Sequence, residues 1–278
     1  MDRRVHLILL RHAQSSNNEA GADDSAAATD AGGLRQADPP LSDLGFAQSE
    51  AIACWVHHEF GDRLDCVFVS PMTRTLQTAG PLSQTLHPDT PFSLLAFAFE
   101  CGGCFDGPRA DAGRGGHPHV HGKSAAEIRR LIPAITLSPA DFTPHGGWYK
   151  GGFEPEPESR ARAERLRDWA WAQMPQAPPA EGEQPRAVLL VTHGFLMSYL
   201  LESLLGMQPS SGDVPSVSFL SANGCAWLLE LRIRAPANNS SAESRSVGIL
   251  GAGRTDHIPP PLRSGQRLAG FQIPPCME

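Results

Sequence analysis

The sequence lacks any hydrophobic run long enough to cross a membrane or to form a signal-peptide core. Its first apolar run, residues 5–10, is short and is interrupted by His6. A longer apolar stretch, residues 187–207, is broken by His193 and Glu202, which favours a strand, a turn and a helix over a membrane span. We therefore expect a cytoplasmic protein with no membrane partner.

The sequence also lacks an excess of positive charge. Its formal net charge is −7 at pH 7, so we expect no nucleic-acid partner, and any attraction to phosphate must be local. The six cysteines lie at irregular positions, which favours reduced thiols over a disulfide framework. A chain of 278 residues with 41% hydrophobic residues suits one globular domain, which we expect to span residues 1–278.

A polar cluster closes the first apolar run. Arg11 and His12 follow it directly, and Gln14, Ser15 and Asn18 come before the hydrophobic pattern resumes. Open α/β sheets bind ligands in the crevice beyond the carboxyl ends of their strands. Arg11 and His12 are therefore candidate active-site residues.

Three further stretches place a cation, an acid or an imidazole at or beyond the end of a predicted strand. They are SPMTRTLQT with Arg74, FECGG with Glu100, and AVLLVTHG with His193. Arg74 would lie in the first turn of a helix, where the macrodipole favours an anion. Glu100 follows an apolar run, so burial would raise its pKa and suit it to proton transfer. These groups could meet at one sheet edge and perform phosphoryl transfer.

Together these motifs resemble the histidine phosphatase superfamily, the phosphoglycerate mutase-like fold. Its signature is Arg, His, Gly, then Glu or Gln, Ser, two free positions and Asn. Residues 11–18 read RHAQSSNN, in which Ala13 replaces the glycine. The resemblance covers about residues 5–232. It implies an α/β fold of three layers, α/β/α, with a mostly parallel central sheet and a small inserted cap.

The resemblance also implies roles for individual residues. His12 would attack a phosphomonoester and form a phosphohistidine, and Glu100 would act as acid and base. The side chains of Arg11, Arg74 and His193 would hold the phosphoryl oxygens. Further contacts to phosphate or substrate are expected from Ser15, Asn18, Trp148, Glu158 and Gly194. The expected partner is a small phosphorylated substrate; no metal and no cofactor is expected, and a homodimer is left open.

The hydrophobic pattern sets out the rest of the chain. It predicts a helix capped by Ser42, and another opened by a capping box of Ser124 and Glu127. Strands are expected at 5–10, 65–69, 186–191 and 221–233, a third apolar segment at 92–99, and further helices after Pro71, at 158–174 and at 195–205. Between them we expect a flexible loop at about 19–38, the cap insertion at about 101–155 and an irregular tail at about 235–278.

Two motifs within the predicted cap point elsewhere. GGHPHVHGKS resembles the end of a P-loop, but five residues rather than four separate Gly116 from Gly122, and no strand precedes it. His117, His119 and His121 alternate, and imidazoles two residues apart could bind a transition metal from one side of an extended segment. A flexible polar loop is the preferred interpretation.

Three functions remain open at this stage. Phosphoglycerate mutases of the superfamily carry an arginine after the acid glutamate and a further pair of arginines, whereas Cys101 occupies the first place here. Arg129 and Arg130 in the cap could compensate. The sequence therefore favours a phosphomonoester hydrolase over a 2,3-bisphosphoglycerate-dependent phosphoglycerate mutase. A non-catalytic binding protein of the same fold is disfavoured, because all five core residues are present.

Overall fold

A mixed sheet organises the chain. The computed structural model describes residues 2–20, 36–105, 120–207, 219, 222–236 and 243–264. Its strands are β1 (Arg3–Arg11), β2 (Leu64–Val69), β3 (Phe92–Leu94), β4 (Ala187–Thr192), β5 (Ala226–Arg234) and β6 (Ser244–Arg254). Its α-helices are α1 (Ser16–Glu19), α2 (Asp43–Phe60), α3 (Thr73–Thr85), α4 (Ala125–Leu131), α5 (Glu156–Ala172) and α6 (Gly194–Leu204).

The strands lie in the order β3-β2-β4-β1-β5-β6. The first four of this order are mutually parallel, whereas β5 is antiparallel to both of its neighbours, β1 and β6. The prediction of a mostly parallel central sheet is thus confirmed. Because β1, β2 and β4 are parallel, the residues that follow them meet at one edge of the sheet.

Helices cover both faces of the sheet because its central strands are apolar on both sides. In β1, Ile8 and Leu10 face a cluster with residues of α2 and α3, whereas Leu7 and Leu9 face a cluster with residues of α5 and α6. This alternation follows from the two-residue period of a strand. The expected three-layer arrangement is therefore present.

The helix starts largely follow their capping residues. Ser42 accepts a hydrogen bond from the N–H of Gly45 at the start of α2, and Ser124 forms the predicted capping box with Glu127 at α4. Helix α3 begins at Thr73, two residues after Pro71. Its cap comes from a distant residue, since the carboxylate of Asp38 accepts from the N–H and the hydroxyl of Thr73 over 2.7 and 2.6 Å.

The C-terminal region corrects the prediction of an irregular tail. Residues Ser244–Arg254 form strand β6, which pairs antiparallel with β5. The segment SRSVGILGAGR is rich in glycine and serine, and most of its side chains are exposed, so it shows no alternation of apolar and polar residues. The third apolar segment is also shorter as a strand than expected, since only Phe92–Leu94 pairs.

The cysteines give a mixed outcome. Cys66, Cys101, Cys104 and Cys225 are not disulfide-bonded, as predicted. Cys54 on α2 is disulfide-bonded, so the prediction of reduced thiols is wrong for this residue. Irregular spacing carries no information on pairing between distant segments, which is why the sequence could not show it.

Parts of three predicted segments lie outside the described residues. The predicted flexible loop does so from residue 21 to 35, the cap from 106 to 119, including His117 and His119, and the tail over 237–242 and 265–278. The described part of the cap contains α4 and a 3-10 helix at Pro139–Asp141. Its position over the pocket stays a prediction. None of the helices in the described ranges combines the length and apolarity that a membrane span requires.

Candidate active site

Three parallel strands deliver the predicted residues to one edge of the sheet. Strand β1 ends at Arg11 and is followed by His12, β4 is followed by His193, and β2 by Ser70. The N–H of His12 donates to the carbonyl oxygen of Thr192 over 2.9 Å. The N–H of Ser70 donates to the carbonyl oxygen of Val191 over 3.0 Å. The backbone thus ties the three strand ends together beside the site.

His12 is buried and has its two ring nitrogens in different surroundings. Nδ1 lies 2.6 Å from the carbonyl oxygen of Ala13, which can only accept, so Nδ1 carries the proton. Nε2 accepts a hydrogen bond from Nε of Arg74 over 3.1 Å. Burial, followed by the charges of Arg74 and Arg11, holds the pKa of His12 well below its usual range. His12 is therefore neutral near pH 7, with a lone pair on Nε2.

Arg74 is the second residue of α3 and is only 2% exposed. Its Nε binds His12, but its Nη1 is buried and has no hydrogen-bond partner among the described residues. A buried donor without an acceptor costs free energy, and a guanidinium suits the oxygens of a phosphate. Arg74 also lies at the positive end of α3, where an anion is favoured.

Gly194 makes room for the second arginine. It is the first residue of α6, and a Cβ atom there would lie 3.3 Å from Nε of Arg11, closer than side chains normally approach. Arg11 and Gly194, which the sequence predicts as separate site residues, therefore lie against each other.

The ring of His193 lies next to that of His12, with centroids 5.2 Å apart. It is fully buried, and burial, with the charge of Arg74, holds its pKa well below its usual range. Its Nε2 lies 2.7 Å from Oγ of Ser70, whereas its Nδ1 is buried and has no partner among the described residues. Ser70 belongs to the SPMTRTLQT motif, but nothing in that motif shows that it would reach His193.

The side chain of Glu100 contacts the first turn of α6, the helix that follows His193. Glu100 is only 1% exposed. Its Oε1 accepts from the N–H of Cys101 over 2.8 Å and of Leu196 over 3.2 Å, and its Oε2 from the N–H of Phe195 over 3.4 Å. These donors fix the orientation of the carboxylate and stabilise its charged form. The five predicted core residues are thus gathered around the same strand ends.

A tight turn follows Glu100. Gly103 has a φ of 77°, which a residue with a side chain rarely adopts. A Cβ atom at Gly103 would lie 1.8 Å from the hydroxyl oxygen of Tyr149, so the cap residue Tyr149 packs directly against the turn. The two glycines of FECGG therefore let the cap approach the segment that carries Glu100.

Ser15 and Asn18 hold each other at the start of α1. The hydroxyl of Ser15 accepts from the N–H of Asn18 over 3.3 Å, and Oδ1 of Asn18 accepts from the N–H of Ser15 over 3.1 Å. Asn223 also donates to Oδ1 of Asn18 over 3.0 Å. These contacts fix the loop after His12, whereas the predicted contact of Ser15 and Asn18 with phosphate stays a prediction.

The two predicted cap residues differ in burial. Trp148 is buried and contacts the ring of Phe99, the residue before Glu100, with centroids 5.4 Å apart. Glu158 is exposed in the first turn of α5, and its role in substrate binding stays a prediction. The buried carboxylate of this region is Glu154, which the sequence did not single out because EPEPE offers no preference among its glutamates.

The remaining histidine of the cap motif, His121, stacks on His145 with ring centroids 4.8 Å apart. Over the described parts of the chain, no group of three or more His, Cys, Asp or Glu could hold a metal ion.

Comparison with known proteins shows which families and folds the chain resembles. The sequence model of the histidine phosphatase superfamily (branch 1) matches residues 7–96. A phosphoglycerate mutase-like protein of Arabidopsis thaliana is 26% identical over 220 residues, which cover 72% of this chain and 74% of that protein. Among solved structures, the ecdysone phosphate phosphatase of Bombix mori, in complex with tungstate, is 14% identical with a TM-score of 0.50, covering 85% of this chain and 96% of that one.

A mycobacterial glucosyl-3-phosphoglycerate phosphatase complex with VO3 is 22% identical with a TM-score of 0.49, covering 90% of this chain and 99% of that one. The family match spans His12 and Arg74 and ends before Glu100, so the later residues rest on the geometry. Over residues 7–96 the chain matches the model of the histidine phosphatase superfamily, which is the family that its motifs resemble.

Proposed function

We propose that this chain is a phosphomonoester hydrolase that acts through a phosphohistidine on His12. The observation that carries the proposal is the state of His12: a buried imidazole with its proton on Nδ1 and its Nε2 directed at Arg74. A neutral imidazole can attack phosphorus without a strong base to activate it. Its surroundings, two arginines and a second neutral imidazole, suit a dianion.

In the first step, the lone pair on Nε2 of His12 attacks phosphorus, and the bond from phosphorus to the leaving oxygen breaks. A phosphoryl oxygen takes over the donor that Arg74 now directs at Nε2, and Nη1 of Arg74 offers a second. Arg11 and His193 complete the set of donors to the nonbridging oxygens. Their role is to neutralise charge that moves onto these oxygens in the transition state.

Glu100 is assigned the proton transfers. In the first step its protonated form gives a proton to the leaving alkoxide; in the second, its carboxylate takes a proton from the water that attacks phosphorus and breaks the bond to His12. Phosphate leaves, and both residues return to their starting forms. The three backbone donors to Glu100 stabilise the carboxylate, which suits the second step.

The environment of Cys101 favours hydrolysis over mutase chemistry. Cys101 is 5% exposed, and burial raises the pKa of its thiol, so the residue is neutral and cannot bind a second anionic group as an arginine would. Arg129 and Arg130 are exposed in the last turn of α4. The substrate is therefore expected to be a small phosphomonoester whose second anionic group, where it has one, is not held at Cys101.

The test is phosphate release from a panel of phosphomonoesters, by the wild type and by His12→Ala, in the presence of a metal chelator. We expect the wild type to release phosphate and the variant to show none above background. Glu100→Gln should lower kcat/KM for alkyl phosphates more than for p-nitrophenyl phosphate, because kcat/KM reports the first step, in which only the alkoxide requires a proton. Transfer between phosphoglycerates without net release would support the mutase, and neither activity would support a binding protein.

A further inference from the structure

A buried ion pair lies next to the segment that carries Glu100. Arg162 of α5 is 5% exposed and Glu154 is 8% exposed. The guanidinium faces the carboxylate as a fork: Nε donates to Oε1 over 2.7 Å, and Nη2 donates to Oε2. The hydroxyl of Ser159 also donates to Oε2 over 2.6 Å. The charge of Glu154 is thus compensated by Arg162 and Ser159.

The same pair contacts the chain on both sides of Glu100. Nη1 of the guanidinium donates to the carbonyl oxygens of Phe97 and Phe99 over 3.0 and 2.5 Å, and its carbon lies 3.7 Å from the ring centroid of Phe99. On the other side, the N–H of Glu154 donates to the carbonyl oxygen of Gly102 over 3.1 Å. Glu100 therefore lies between two points held by one ion pair.

The segment needs such contacts because it has no regular structure of its own. Residues 95–101 belong to neither a helix nor a strand. A buried ion pair is a poor source of stability, since the cost of removing two charges from water offsets their attraction. A guanidinium is, however, suited to hold one carboxylate and two carbonyl oxygens in a plane, which an ammonium group cannot do.

We propose that Arg162, oriented by Glu154, is a positioning residue for Glu100. It fixes the carbonyl oxygens before Glu100, and Glu154 fixes the one after it, so that the carboxyl group is held in place for proton transfer. This inference rests on the proposed function, in which Glu100 transfers the proton. It assigns a task to two buried residues that lie outside the phosphoryl pocket, the group formed by Arg11, His12, Arg74 and His193.

The first test is Arg162→Lys, which keeps the charge and removes the fork. We expect kcat/KM for glycerol phosphate, which reports the step with the leaving alkoxide, to fall about 10²-fold, the effect of a misplaced reacting group. The kcat/KM for p-nitrophenyl phosphate should change far less, and inhibition by vanadate should stay the same. The matched control is Arg160→Lys on the same helix, whose side chain pairs with Glu156 and Glu202 and should leave both rates unchanged.

A double variant shows whether Arg162 acts through Glu100. If it does, adding Arg162→Lys to Glu100→Gln causes no further loss on glycerol phosphate, because the group that it positions is already gone. Losses that multiply, or equal slowing of both esters by Arg162→Lys alone, would overturn the proposal.

Amide hydrogen exchange of residues 97–102 separates this inference from the proposed function. We expect faster exchange in Arg162→Lys and unchanged exchange in Arg160→Lys, with or without phosphatase activity. A wild type that releases no phosphate would refute the proposed function alone, whereas unchanged exchange would refute the positioning role. If Arg162→Lys does not fold, Glu154→Gln, which keeps the shape and removes the charge, is judged by the same outcomes.

Discussion

Two buried arginines, Arg74 and Arg162, are bound in opposite ways. Arg162 meets a carboxylate, two carbonyl oxygens and an aromatic ring, so its charge and donors are matched by the protein. Arg74 meets a neutral imidazole through Nε, and its Nη1 has no partner among the described residues. Both are at most 5% exposed, so the difference lies in their partners and not in their burial.

The difference separates a structural cation from a functional one. A buried guanidinium is costly unless an anion compensates it. For Arg162 the protein itself supplies that anion, Glu154. For Arg74 the phosphoryl group of the substrate would supply it, and the same unbalanced positive charge is one reason why the pKa values of His12 and His193 are low. The phosphoryl pocket is thus organised for an anion, whereas the Arg162 pair is complete.

The largest expected effect is an opposite response of the two arginines to methionine. Arg74→Met should lower kcat for p-nitrophenyl phosphate by at least about 10³-fold, since it removes the main donor to the transferring group. Its free energy of unfolding should stay equal or rise, because an uncompensated buried charge is removed. Arg162→Met should instead lower the free energy of unfolding by about 3–5 kcal/mol, because Glu154 is left buried without its partner. Urea denaturation and steady-state kinetics measure both.

The double variant Arg162→Met with Glu154→Leu serves as the control for this prediction. Removing both charges should restore much of the lost stability, since no unpaired buried charge remains. The comparison breaks down if Arg74→Met is as unstable as Arg162→Met, because Arg74 would then be a structural residue too.

The phosphoryl pocket could be predicted largely from the sequence because its residues follow strand ends. Arg11 and His12 close β1 and His193 follows β4, so the parallel sheet alone brings them together. Arg74 is fixed by the first turn of α3. The direction in which Glu100 is held, at the start of α6, could not be predicted because α6 begins 94 residues later in the chain.

The rest depends on pairing between distant segments. Ser70 and His193 are separated by 123 positions, and no local pattern marks the pair. Arg162 is one of several arginines on α5 and Glu154 one of several neighbouring glutamates, so only packing shows which two are buried. Strand β6 could not be predicted, because an exposed edge strand needs no apolar alternation.

A smaller effect is expected of pH on the stability of the protein. It distinguishes histidines whose pKa is lowered mainly by burial from those whose pKa is also lowered by the charges of the arginines. His257 stacks on Trp55 and its pKa is lowered to about 4, mainly by burial. Since this lies below the value of the unfolded chain, the unfolded state binds more protons between about pH 6.5 and pH 4, and stability falls as pH falls through this window. The contribution of His257 amounts to about 2 kcal/mol between pH 7 and pH 5.

Urea denaturation at pH 7 and pH 5 measures this loss, and His257→Phe keeps the stacked ring while removing the titrating group. Its stability should fall by about 2 kcal/mol less than that of the wild type over the same interval. Vanadate should reduce the remaining loss, because an anion offsets the arginines that lower the pKa of His12 and His193. An identical pH response in His257→Phe would show that the pKa of His257 is the same in the folded and the unfolded state, which would contradict the prediction.

The smallest expected effect concerns the neighbour of His193. If the hydroxyl of Ser70 donates to Nε2 of His193, the ring proton is on Nδ1, the buried nitrogen that could donate to a phosphoryl oxygen. Ser70→Ala removes one hydrogen bond of about 1 kcal/mol, so kcat/KM should fall roughly fivefold. Nitrogen NMR of the His193 ring should show a change in tautomer, whereas Ser83→Ala, which removes a hydroxyl bound to a carbonyl oxygen elsewhere on α3, should change neither. A lower rate with an unchanged tautomer would mean that Ser70 supports His193 by packing alone.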